Sequence, residues 1–136
     1  MSPRPTDPAV VVAVATARAM ASGDTGGDLC LGIANVEQRL ASLRAVELRL
    51  PNRVALDIEL SKLEAAYAEL HQAELGTFEE QLETPLQRLR YRLAELELAV
   101  EDFRTNTRPA HAVAHVEEDA ETFAGELAAF SILARC

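Results

Sequence analysis

The chain has no tryptophan, two tyrosines and four phenylalanines. Helices that lie in a membrane surface ordinarily carry Trp or Phe beside Lys or Arg, so this poverty disfavours a lipid-coating role. Lysine is nearly missing too: Lys62 stands alone, and every other fixed cation is arginine. With a formal net charge of −9 and no basic stripe among the arginines, nucleic acid is not the expected partner. Long apolar runs are also lacking. The most apolar stretch, 9–21, covers about 13 residues where a bilayer needs roughly 20. Thr16 and Arg18 interrupt it, and Asp7 with its neighbouring prolines spoils the leading region of a secretory signal. It reads instead as a buried helix or an oligomer contact.

Signatures of catalysis are missing in the same way. Ser22, Ser42, Ser61 and Ser131 stand outside any Gly-x-Ser-x-Gly context, and neither cysteine has a histidine close in sequence. The glycine-rich segment 22–28 has no lysine, which a phosphate-cradling loop requires. Cys30 and Cys136 are too few and too far apart for a framework, and no C-x-x-C pair occurs. A reduced cytoplasmic compartment is therefore the expectation, with a bridge between the two cysteines the alternative to free thiols.

What the chain has is helix. About half of it is apolar (49%), mainly Ala and Leu, and Glu, Arg and Gln fill much of the rest. These are strong helix formers, and the expected fold is one all-α domain over 1–136, a four- to five-helix bundle. Asp7 and Pro8 predict a capped first helix over 8–21, followed by a flexible Gly-rich elbow, so that 1–27 stands before a bundle of 28–136. A second helix over 29–50 carries Val36, Leu40, Leu43, Val46 and Leu50, and Pro51 ends it. A third over 53–83 carries Leu56, Leu60, Leu63, Tyr67 and Leu70. Glu74 then falls where the stripe should continue and Gly76 follows, which predicts a break over 75–77.

Thr84, Pro85, Leu86 and Gln87 read as a capping box opening a fourth helix over 85–104. A fifth over 109–134 buries Val113, Val116, Ala120, Phe123, Leu127 and Phe130. Leu75, Phe78, Leu82, Leu86, Leu89, Leu93, Leu96, Val100 and Phe103 recur at steps of three and four, a seam on one helical side. Arg88, Arg90 and Arg92 at the start of the fourth helix oppose its macrodipole, a conflict that eases if the chain folds back as an antiparallel hairpin at Thr84 and Pro85. Glu79, Glu80 and Glu83 then lie near the arginines and pair with them.

Three groups of residues could carry chemistry. His71 with Glu74, and His111 with His115 and Glu118, have spacings that put metal ligands on one helical face. Their order is the reverse of the Glu-x-x-His of di-iron bundles, and the His111 and His115 face lies opposite the apolar stripe, so no metal or other cofactor is expected. Arg88, Arg90 and Arg92 around Tyr91 form the local basic patch that could grip an acidic group. Leu75, Phe78 and Leu82 begin the apolar seam. The expected function is a non-enzymatic protein–protein interaction module, self-associating or binding a protein partner. Leu75, Phe78, Leu82, Arg88, Arg90, Tyr91 and Arg92 are its candidate contact residues. A metal- or cofactor-binding bundle using His71, His111 and His115 is the alternative.

Overall fold

The computed structural model describes residues 26–105 and 109–136. The expected helix over 8–21 lies outside them. The described residues form four α-helices: α1 Gly26–Arg44, α2 Arg53–Leu75, α3 Glu83–Thr105 and α4 Pro109–Leu133, with 3-10 turns at Leu50–Asn52 and Glu80–Leu82. Each helix packs antiparallel to the one before it. Gly32 sits against Leu70, Asp57 pairs with Arg104, and Arg92 pairs with Glu126. Contacts between α1 and α4 close the ring, so the fold is an up-down-up-down bundle of two tight hairpins, α1–α2 and α3–α4.

Local chemistry explains the boundaries. Pro51 occupies the 3-10 turn before α2, where its missing N–H is harmless, and Asn52 donates back to the Glu47 carbonyl at 2.9 Å. Asp28 stands in the first turn of α1 and Arg44 in its last, both as the macrodipole favours. At the end of α4, Arg135 takes a positive φ of 59°. Its N–H bonds the Ile132 carbonyl at 3.0 Å and that of Cys136 bonds the Ser131 carbonyl at 2.9 Å. That pair of bonds is a Schellman motif, which turns Cys136 back toward the bundle.

One continuous core fills the interior. Leu29, Ile33, Val36, Leu40 and Leu43 come from α1, and Leu56, Leu60, Leu63, Tyr67 and Leu70 from α2. The core face of α3 runs from Leu86 to Phe103, and Ala112, Val116, Ala120, Phe123, Leu127 and Phe130 complete the packing from α4. At Gly32 the two helices of the first hairpin approach so closely that an added Cβ would lie 3.3 Å from the Leu70 Cα.

Five expectations need correction. The helix expected over 29–50 ends at Arg44, and Leu50 lies 53% exposed in the following 3-10 turn rather than on an inner helical face. The hairpin turns at Gly76–Glu79, before Thr84 and Pro85, because α2 ends where Glu74 and Gly76 interrupt its stripe. The capping box does not form: α3 begins at Glu83, and Thr84 lies exposed in the first turn with no side-chain bond. The seam is not continuous either. Leu82, Leu86, Leu89, Leu93, Leu96, Val100 and Phe103 are buried, but Leu75 is 53% and Phe78 91% exposed. Finally, Cys30 and Cys136 are joined in a disulfide, Cα–Cα 5.4 Å, across 106 positions of sequence. Distance along the chain argued against that bridge, and the antiparallel packing of α1 on α4 cancels it. The ground for assigning a reducing compartment goes with it.

Candidate functional site

Two surface features stand out, one a cleft and one a helix face. The cleft, of about 640 Å³, opens at the end of the bundle where α2 turns into α3. The last turns of α2 contribute Tyr67, His71, Glu74 and Leu75; the turn and its 3-10 segment contribute Phe78, Glu79 and Glu80; the start of α3 contributes Glu83, Leu86, Gln87 and Arg90. The Tyr67 hydroxyl donates to the Leu86 carbonyl at 3.2 Å and so ties the two helices together. Burial pushes that phenol above its ordinary ionisation range, with Arg90 opposing and Glu74 adding to the effect.

Glu74 is the unusual member. It is 6% exposed, the one buried charged residue among the described residues. Its backbone carbonyl accepts from the Thr77 hydroxyl at 2.7 Å and the Thr77 N–H at 3.0 Å. The Arg90 guanidinium donates to Glu97 at 2.8 Å and lies 6.0 Å over the Tyr67 ring. The expected pairs between Glu79, Glu80 or Glu83 and the arginines do not form. Arg92 bonds Glu95 and Glu126 at 3.3 and 3.4 Å instead, because the helical neighbour and the facing α4 are nearer than the turn.

The candidate contact residues are thus split. Leu75, Phe78 and Arg90 meet at the cleft. Leu82 is fully buried and unavailable to a partner in the folded chain. Arg88 and Tyr91 are exposed, and the Arg92 guanidinium lies 6.0 Å from the Tyr91 ring. His71 stacks on Tyr67, ring centroids 6.4 Å apart, whereas His111 and His115 sit exposed together at 5.3 Å on α4. Among the described residues no group of three or more His, Cys, Asp or Glu is placed to hold a metal ion. His115 stands beside Asp119, whose carboxyl is pushed up chiefly by burial, with His115 opposing.

The second feature is the outward face of α2. Leu50, Val54 and Ile58 are 53%, 64% and 50% exposed. Val54 and Ile58, spaced by four, align on one side of α2, Leu50 stands in the 3-10 turn just before them, and Ser61, Ala65 and Ala68, all exposed, continue the same side toward the C-terminus. The face is therefore apolar and bulky in its first half and small-sided in its second, with Lys62 and Glu69 at one margin. Sequence reasoning passed over it because the core stripe of the same helix dominates the pattern.

Among the described residues no helix is long and apolar enough to cross a membrane. No family model matches the chain, and neither a curated protein nor a solved structure matches it.

Proposed function

We propose that this protein is a non-enzymatic interaction module that pairs with a second copy of itself through the outer face of α2. The bundle consumes its seams internally; of the large apolar side chains left outside, which also include Leu75, Phe78, Tyr91, Leu98, Ile132 and Leu133, Leu50, Val54 and Ile58 gather at the start of α2. One observation carries the reading, the order of large before small along a single exposed face. Under a two-fold axis crossing α2 near Ser61, the partner helix runs antiparallel. The bulky half of each copy then lies on the Ala65 and Ala68 half of the other, an isologous fit of ridges into a shallow groove.

Size-exclusion chromatography with light scattering tests it. The wild type should show about twice the 14.8 kDa chain mass at high concentration, falling toward one on dilution. Val54→Glu with Ile58→Glu, both on exposed positions, should give the single-chain mass throughout while keeping the helical circular dichroism. A wild type that stays at 14.8 kDa at every concentration removes the proposal.

A further inference from the structure

We propose a second interaction surface, occupied from within the chain: the groove between α1 and α4 is the seat of the apolar segment 9–21. This groove, of about 440 Å³, is separate from the outer face of α2. Leu40 and Leu127 form its buried floor and Ala41, Ala124 and Ala128 its low walls, with Ile132, 78% exposed, at one end. Small side chains let another helix approach closely, so the surface suits a helix that is itself small-sided. The Cys30–Cys136 bridge ties the two walls together beyond Ile132.

Residues 9–21 match the groove in composition, reach and charge. Apart from Thr16 and Arg18 they are all Ala, Val or Met. As the helix expected over 8–21, they carry Val10, Val14, Ala17 and Ala21 on one side, a stripe that is costly to leave in water. Residues 22–25 separate Ala21 from Gly26, where α1 begins, and fully extended they bridge about 17 Å. Placing Ala21 level with Ala34, one helix to the side, takes about 12 Å along the axis and about 9 Å across it, roughly 15 Å in all. The segment then runs antiparallel to α1 until Val11 comes level with Arg44, and so covers the groove from end to end. In that register Arg18 comes level with Glu37, the acidic residue of the lining, and the one charge of the segment meets its opposite.

Limited proteolysis of the full chain by trypsin tests the seat. Arg18 is the one site before α1 that trypsin cuts, because Arg4 precedes a proline. With the segment docked, cleavage after Arg18 should be slow and independent of protein concentration. Ala128→Glu with Ile132→Glu puts charge into the groove and should speed cleavage about tenfold, since cleavage follows the population of the open form. Val10→Asp with Val14→Asp should do the same, and it changes no residue of the bundle should the groove variant fail to fold. Leu98→Glu, at an exposed position of α3, and Val54→Glu with Ile58→Glu, on α2, should be cut at the wild-type rate. Wild-type cleavage as fast as that of a peptide of residues 9–25 overturns the proposal, and so does equal acceleration by Leu98→Glu. Protection lost on dilution, or in the α2 variant, also overturns it, because the segment then sits on a neighbouring copy.

Discussion

Phe78 is the residue held least comfortably. It adopts a positive φ of 55°, a region that side chains with a Cβ disfavour, and it buries almost nothing in return. Phe78→Gly relieves that strain. Set against the extra freedom glycine gives the unfolded chain, the net effect should be a gain of about 0.5–1 kcal/mol in unfolding free energy, measured in urea. A loss of similar size would mean that Phe78 is held by contacts the exposed ring does not reveal. Glu64 gives the second residue-level prediction. Its carboxyl is raised from 4.5 to about 7, first by the hydrogen bond it shares with Glu97, then by burial and by repulsion from Glu97, with Arg90 opposing. Burial works to raise Glu97 too, but its bonds to Glu64 and Arg90 carry it below the ordinary value, so the pair holds one proton between them. A carboxyl whose folded value is raised stabilises the fold fully at pH below 4.5, and that contribution is lost as the pH climbs through about 7. Glu64→Gln imitates the protonated form. Its thermal midpoint should match the wild type near pH 5 and exceed it near pH 8; an offset independent of pH contradicts the shared proton.

The helices were legible in the sequence because apolar residues at steps of three and four leave little freedom in assigning faces. Proline then marked the starts of α2, α3 and α4 to within a few residues, while the expected third helix over 53–83 stops at Leu75, at the break that Glu74 and Gly76 announced. The hairpin turn was legible only in part. Glu74 and Gly76 marked the break, but the apolar spacing runs on through Leu75 and Phe78 as though the seam continued. Spacing cannot tell that Phe78 lies in a turn rather than on a helix. The consequence is measurable: Leu82→Ala, at a fully buried position, should cost about 2–5 kcal/mol in urea unfolding, and Leu75→Ala, half exposed, under about 0.5. Comparable costs would restore the continuous seam. The candidate site was read less well than the fold. The arginine patch was visible as a run of charge, yet its partners came from α4 and from within α3, which no single segment discloses. Glu74 was visible as an acid in a core position, and that was the signal of the break.

At the scale of the molecule, antiparallel order does what sequence distance hides. Because α1 and α4 run side by side in opposite directions, the Schellman turn after α4 delivers Cys136 to Cys30 at the same end of the bundle as the cleft. A bridge closing a loop of 106 positions restricts the unfolded chain strongly. Cys30→Ser with Cys136→Ser should therefore lower the unfolding free energy by about 2–4 kcal/mol, and the thermal midpoint by roughly 10 °C, while leaving the helical content at room temperature intact. Collapse of the helices instead would mean that the core from α1 to α4 is not self-sufficient. The central claim concerns the surface left over once that core is closed, and a dilution series of the isotopically labelled protein followed by nuclear magnetic resonance tests it most directly. Concentration-dependent shifts should gather on Leu50, Val54, Ile58, Ala65 and Ala68, and vanish in the Val54→Glu, Ile58→Glu variant. Shifts confined to another face, or none at any concentration, would contradict it.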